Sequence, residues 1–491
     1  MLFNSIEFIV FFPIVTLGYF LLIQKFRWMW LLAASIVFYM VAVPKYILII
    51  LFTIIVDYFA AIYIAKSEGD KRKEYLYLSI IVNVLTLGIC KYFFFVFDNY
   101  IAVANYFGLN EYSYLPRWSI PLGLSFHTFQ AMSYTIEVYR GNQKPERNFG
   151  IYALYVMFYP QMVAGPIERP QNILHQFYEK HTFNYADCTD GLRLMAWGLF
   201  KKVVVADRLS LFVGTVYDNP TAYTGLPLII ATLFFSIQIY CDFSGYSDIA
   251  LGAARVMGFR LMINFDKPYF AETITDFWRK WHISLSSWFR DYLYIPLGGS
   301  KSSVARKYLN LFIVFMISGL WHGSGWCFVI WGALHAFYQI FGQKTAQFRA
   351  KIIEWLHIHK FPKFRKFINI LSVFLIVTFA WIFFRANIIN FAFHIIKNMF
   401  VGIPSDLGFI ADSNFMFTNV YLGQSLPELI KGILGISLVF IAEYAIRKTD
   451  LNNYISSLDK WQRWSIYYLF LLIFVFFGVF DKPATFIYFQ F

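Results

Sequence analysis

An all-α fold that crosses a membrane many times is what this chain predicts, on three observations. Of its 491 residues, 59% are hydrophobic and only 14% are charged, and the mean hydropathy is positive. About eleven apolar runs approach the ~20 residues that a helix needs to cross a bilayer. The basic residues fall in short clusters between those runs, as the asymmetric loops of a multi-span protein require. In hydrocarbon every backbone polar group must be satisfied within the segment, so helices carry such a fold.

The runs lie at 4–23, 28–43, 46–65, 75–97, 120–138, 150–164, 192–214, 226–241, 368–386, 430–446 and 465–480. The first has no basic leader and no Ala-x-Ala-like cleavage site, so it reads as a retained span with Met1 on the mature chain. Lys25 with Arg27, the Lys66–Lys73 turn, the segment 341–367 (Lys344, Arg349, Lys351, Lys360, Lys363, Arg365, Lys366) and Arg447 with Lys448 are expected in the cytoplasm. The charge-poor connections 98–116 and 403–427 then lie outside, as do the N-terminus and the C-terminus at Phe491. One domain, 1–491, is expected: N-terminal helices 1–116, a motif-bearing core 117–340, a basic cytoplasmic loop 341–367 and C-terminal helices 368–491.

Inside that core two short apolar limbs, about 310–321 and 326–340, lie between polar flanks that both read as cytoplasmic. A re-entrant hairpin satisfies this, with Trp321-His322-Gly323 at its turn and Gly319, Gly323 and Gly325 relaxing the backbone. His322 then sits deep. An ionisable ring at bilayer depth is costly, so it is read first as functional. The preceding block, 264–300, is too polar to span. If Thr275–Tyr292 is one helix, Trp278, His282, Leu285 and Phe289 share a face, while Asp276, Arg279, Lys280, Ser287 and Asp291 share the other. Such a helix lies half-inserted at the cytoplasmic surface.

Several functions are excluded or set aside. Cys90, Cys188, Cys241 and Cys327 are scattered without metal-like spacing, so neither a zinc site nor a disulfide framework is expected. The net charge of +13 is distributed between spans, which points to orientation and lipid contact, with no nucleic-acid partner. No phosphate-cradling loop with lysine and no internal repeat is present, against a nucleotide-driven pump or inverted-repeat transporter. His335 reads as a packing residue, and His357 and His359 as solvated.

The runs Phe277-Trp-Arg-Lys-Trp-His-Ile-Ser-Leu-Ser286, Arg290-Asp-Tyr-Leu-Tyr-Ile-Pro-Leu-Gly-Gly299 and Leu320-Trp-His-Gly323 resemble the signature of membrane-bound O-acyltransferases. The bacterial alginate O-acetylation branch is the nearest resemblance. Gly123-Leu-Ser-Phe126, Phe158-Tyr-Pro-Gln161, Gly165-Pro-Ile-Glu-Arg-Pro170, Asp242-Phe-Ser-Gly-Tyr-Ser-Asp248 and the terminal Phe486-Ile-Tyr-Phe-Gln-Phe491 extend it over nearly the whole chain. Lys280 stands where the family more often has a second arginine, and His127 where an aromatic is expected.

The resemblance implies a funnel-like core of short and re-entrant helices around a buried histidine, and acyl transfer from a cytoplasmic thioester to a hydroxyl. It carries the catalytic histidine onto His322 and the second motif histidine onto His282. A neutral imidazole can take the proton of a weakly nucleophilic hydroxyl as it attacks the thioester carbonyl. Trp278, Arg279, Arg290, Asp291, Trp321, Asp242 and Tyr246 are expected to bind substrate, with Arg279, Lys280 and Arg290 suited to donor phosphates. No metal and no permanently bound cofactor is expected; the donor is acetyl-CoA or another acyl thioester. The acceptor is expected to be an extracytoplasmic polysaccharide, reached through a periplasmic or extracellular acetyltransferase partner, and the location the bacterial cytoplasmic membrane. Two alternatives stay open. One is D-alanyl transfer to teichoic acid, and the other a polysaccharide exporter or scaffold subunit without acyl-transfer chemistry.

Overall fold

In a computed structural model, residues 1–491 are described except 110–116, 119–120, 404–407, 409–411, 447–448, 450, 482–483 and 490–491. The expected outside placement of 110–116 and parts of 403–427, the Arg447–Lys448 cluster and the extreme C-terminus therefore lie outside the described residues. All regular elements among the described residues are helical. In chain order the principal ones are α1 (Ile6–Leu21), α2 (Gln24–Ala42), α3 (Ile47–Lys66), α4 (Asp70–Tyr106), α5 (Leu124–Arg140), α6 (Phe149–Met157), α7 (Tyr185–Leu199), α8 (Asp207–Tyr217) and α9 (Leu226–Val256). They continue as α10 (Ile274–Lys280), α11 (Ile283–Phe289), α12 (Val304–His322), α13 (Trp326–Lys344), α14 (Ala346–Trp355), α15 (Pro362–Arg385), α16 (Ile389–Asn398), α17 (Leu426–Ala445) and α18 (Lys460–Phe477).

Among the described residues, five segments are long and apolar enough to cross a membrane: Pro44–Lys66, Asp70–Tyr106, Leu226–Val256, Val304–His322 and Pro362–Arg385. Four of these carry expected apolar runs; the fifth is the first limb of the hairpin, which is longer than its apolar stretch suggests. The run 150–164 is not one span. Phe158 leaves helical geometry (φ −51°, ψ 113°) ahead of Pro160, which ends α6 after nine residues. Every residue of that helix from Ile151 to Met157 is buried by protein, so its hydrophobicity reflects packing.

The chain divides into two compact units. The first comprises Met1–Met195 with Ile249–Ile263. Here α3 buries Ile50, Thr53, Ile54, Asp57, Ala60, Ala61 and Ile64 at helical spacing. Asp57 accepts from Ser79 Oγ (2.6 Å) and Asn83 Nδ2 (2.8 Å) on α4, and Ser79 Oγ lies 2.9 Å from Thr135 Oγ1 on α5. This polar cluster ties three helices where apolar contact alone gives little preference over lipid.

The second unit comprises Ala196–Asp248 and Asn264–Phe491. Its core is unusually aromatic, with Trp281, Trp331 and Trp381 at most 1% exposed. Helices α12 and α13 form an antiparallel hairpin at closest approach. A Cβ on Gly319 would fall 2.3 Å from Phe328 O, and one on Gly332 would fall 2.5 Å from Phe315 O. Between α7 and α8 the backbone widens into a π-helical stretch, Phe200–Ala206, all of it buried. Such bulges often mark functional sites.

Candidate active site

Three pieces of the second unit bring the functional side chains together. The first is the end of α12. His322 is its last helical residue, 4% exposed, and Gly323 stops the helix in extended geometry (φ −158°). Gly323 therefore supplies room, since a Cβ there would fall 2.0 Å from the Phe328 ring. This corrects the expectation that the turn glycines relax the backbone: Gly319 and Gly323 are required for close approach.

The second piece is the polar block. It is not a single helix over 275–292. The chain breaks between α10 and α11, with His282 at φ +46°, ψ +54°, and a π-turn follows at Arg290–Tyr294. Asn264 builds the break. Its carbonyl accepts from Ile283 N (2.9 Å), while its Oδ1 accepts from Ser284 N (3.3 Å) and Ser284 Oγ (3.0 Å) and lies 3.1 Å from His282 Nδ1. An oxygen that already accepts from a backbone N–H must accept from the ring also, so Nδ1 carries the His282 proton and Nε2 is the basic nitrogen. Full burial lowers the His282 pKa to about 3, which keeps this ring neutral.

The third piece is the C-terminal segment 484–488, which carries Tyr488 against both histidines. The His322 and His282 ring centroids are 6.4 Å apart. Tyr488 lies 5.6 Å from His322 and 6.3 Å from His282. Trp321 bridges the pair from another side, at 4.9 Å and 5.9 Å. Phe243 (4.7 Å from His282), Trp331 (5.0 Å from His322) and Phe384 (5.3 Å from His322) complete an aromatic enclosure. Two imidazoles and one phenol share a space walled by rings, an arrangement suited to proton transfer.

Beside this compartment is a cavity of about 470 Å³, lined among others by Trp278, Arg279, Ser286, Arg290, Phe315 and Ser318. It stops one aromatic layer short of the histidines. Trp278 packs 5.7 Å from Trp331, whose other neighbours include His322; Trp278 Nε1 also donates to His335 Nδ1 at 3.3 Å. His335 is thus a fully buried packing residue.

Of the residues expected to bind substrate, Trp278, Arg279 and Arg290 face this cavity and Trp321 stands between the histidines. Asp291 pairs with Arg290 at 2.7 Å. Asp242 and Tyr246 face the C-terminal segment: Asp242 Oδ2 accepts from Ile487 N (2.8 Å), and the Tyr246 ring lies 4.5 Å from Phe486. Among the described residues no group of three or more His, Cys, Asp or Glu side chains is placed to hold a metal.

Phe243 and Tyr488 entered the sequence reading only as members of quoted motifs, and Asn264, Trp331, Phe384 and Lys202 were not singled out from sequence. Two of these four had a usable signal. Asn264 opens the dense polar block, and Lys202 is a charge inside the apolar run 192–214, where an ionisable residue demands a partner.

Comparison with known proteins places this geometry in context. The profile of MBOAT, the membrane-bound O-acyltransferase family, matches residues 146–393, which include both histidines. The chain is 32% identical to the peptidoglycan O-acetyltransferase of Helicobacter pylori, across 100% of this chain and 98% of that protein. It is 36% identical to the probable alginate O-acetylase AlgI of Pseudomonas aeruginosa, over 82% of this chain and 75% of that one. Similarity to the teichoic acid D-alanyltransferase of Bacillus subtilis is 28% over 44% of this chain and 57% of the relative.

Proposed function

The chain belongs to the membrane-bound O-acyltransferase family, and from that premise we propose that it takes an acetyl group from a cytoplasmic thioester and passes it across the bacterial cytoplasmic membrane for O-acetylation of an extracytoplasmic polysaccharide. It is a multi-pass membrane O-acyltransferase. The observation that carries the finer reading is the meeting of His322 and His282, 40 positions apart in the chain but 6.4 Å between ring centroids, inside one aromatic compartment.

The chemistry follows from the parts. His322 removes the proton of the acceptor hydroxyl as that oxygen attacks the thioester carbonyl; the C–S bond breaks, and the thiolate leaves with the proton that the imidazole returns. His282, locked by Asn264 in one tautomer, orients the acceptor or its partner ring. Acetyl-CoA suits the adjacent cavity: Arg279 and Arg290 at its rim can meet phosphates, and the apolar inner wall can take the pantetheine arm. Trp278 and Trp331 then form the layer that the thioester must pass.

Relatives named for peptidoglycan and alginate acetylation support acetyl as the group moved and a cell-surface glycan as the final acceptor; an extracytoplasmic acetyltransferase partner that completes the transfer is part of the proposal. The D-alanyltransferase relative shares less than half of the chain, so D-alanyl transfer is the weaker reading. The test compares O-acetyl content of surface polysaccharides in a deletion strain carrying the native chain or His322→Ala at matched membrane levels. Loss of a general base is expected to reduce acetylation about 10²–10⁴-fold. Equal restoration by both would remove His322 as the base and favour a scaffold role.

A further inference from the structure

The C-terminal segment reaches the histidines without regular structure of its own at 484–486, so its position depends on what holds it. Two side chains of the second unit bind its backbone three residues apart. Lys202 Nζ donates to Ala484 O at 3.0 Å, and Asp242 Oδ2 accepts from Ile487 N at 2.8 Å. The same two side chains pair with each other, Lys202 Nζ to Asp242 Oδ1 at 2.8 Å, and Lys202 also meets Asp207 Oδ1 at 2.8 Å. Asp242 thus divides its oxygens between the ammonium and the segment.

All three charges are buried, with Lys202 at 3%, Asp207 at 0% and Asp242 at 2% exposure. Buried charges in a membrane protein are expensive and are kept where they pair and do something that apolar side chains cannot. Here the particular service is to present a carboxylate that accepts from a backbone N–H and an ammonium that donates to a backbone carbonyl of an otherwise irregular stretch of chain. Lys202 lies in the buried π-helical stretch Phe200–Ala206, in which the neighbouring Lys201 pairs with Asp248 at 2.6 Å. The same stretch offers Val203 O to Val479 N at 3.2 Å, a further tie just upstream of the segment. Phe486 then packs on Tyr246 (4.5 Å) and Phe243 (5.9 Å), and Tyr488, one residue beyond Ile487, arrives at the histidines.

We propose that the Lys202–Asp242 pair, braced by Asp207, is a latch that seats residues 484–488 and so positions the Tyr488 phenol against His322 and His282. Lys202 and Asp242 are on this account positioning residues for acyl transfer, and Asp242 acts through the tail instead of on substrate. The inference rests on the acyl-transfer reading for its consequence, while the latch itself is a statement about the tail.

The experiment separates the two. In a chain with Cys90, Cys188, Cys241 and Cys327 replaced by alanine, Ile487→Cys reports seating of the tail through its rate of alkylation by a small maleimide in detergent, since Ile487 is 1% exposed. Asp242→Ala, Asp242→Asn, Lys202→Met and Tyr488→Phe are compared in that background, and O-acetyl content of the host's polysaccharide is measured for each substitution without the reporter cysteine. The expected result is alkylation at least about tenfold faster in Asp242→Ala and Lys202→Met, a smaller rise in Asp242→Asn, which keeps one acceptor oxygen, and acetylation falling in the same order. Tyr488→Phe should lose acetylation while its reporter stays protected. If Asp242→Ala fails to reach the membrane, Asp242→Asn and Lys202→Met carry the comparison.

Acetylation lost in Asp242→Ala, Asp242→Asn or Lys202→Met with the reporter still protected would overturn the proposal and return Asp242 to a substrate role. A released tail with undiminished acetylation would equally overturn it. Should the unsubstituted chain itself support no acetylation, the acyl-transfer reading fails; the alkylation contrast alone then upholds or refutes the latch.

Discussion

His282 holds a left-handed backbone conformation that costs a non-glycine residue on the order of 1–3 kcal/mol, and it persists because Asn264 bonds both the ring and the two following residues. The gain is an imidazole with one defined tautomer aimed at the compartment that holds His322. No helical-wheel argument could find this, because the wheel assumes the helix continues through 281–283. What sequence could supply was the residue type and the motif; the break comes from a side chain 18 positions earlier. Burial also sets a pH dependence. The folded His282 ring stays neutral down to about 3, whereas in the unfolded chain it takes up a proton below its ordinary value of 6.5. Between those values the unfolded state binds more protons, so stability rises with pH and is lost as pH falls from 6.5 toward 3. Thermal unfolding midpoints in detergent should fall across that window, and fall less steeply in His282→Gln; identical slopes would contradict a neutral, buried His282.

At the scale of elements, the α12–α13 hairpin does most to place the site, since it ends on His322 and packs without room for a Cβ at Gly319 or Gly332. Gly319 lies three positions before His322 on the same helix. Gly319→Ala is therefore expected to push the two helices apart, with an overpacking cost of about 1–3 kcal/mol and loss of acetylation out of proportion to it. Melting temperature together with acetylation at matched membrane level checks this; unchanged values for both would refute the close packing. The turn around 321–323 was legible because an apolar, Gly-interrupted stretch lay between two basic flanks. Its limbs were read short. Hydropathy reports where a helix meets lipid, and α12 begins at Val304, with Ser303 Oγ capping Arg306 N (3.4 Å) and Arg306 and Lys307 in its polar first turn.

For the whole molecule, charge sets the expected orientation, since cytoplasmic loops carry the excess of Lys and Arg. The helix α14 and its flanks concentrate that charge. None of its residues is buried, and Phe348 and Trp355 are exposed beside Arg349 and Lys351. This suits the anionic inner leaflet. A Lys351→Cys chain in spheroplasts should resist a membrane-impermeant maleimide until the membrane is permeabilised. Labelling of intact spheroplasts would reverse the orientation and with it the side from which the donor enters.

Composition and ordered motifs are local properties of the chain, and they were enough to read the helical class, the membrane as solvent and the family, and to nominate His322 and His282. Only the tertiary structure decided that Asn264 breaks the polar block at His282, that Trp331 and Phe384 wall the site, and that a lysine inside an apolar run holds the C-terminal segment against it. These depend on contacts between residues tens to hundreds of positions apart, such as Lys202 with Ala484. No periodicity encodes such pairs, since what selects them is the need to pair a buried charge and to fill space between helices.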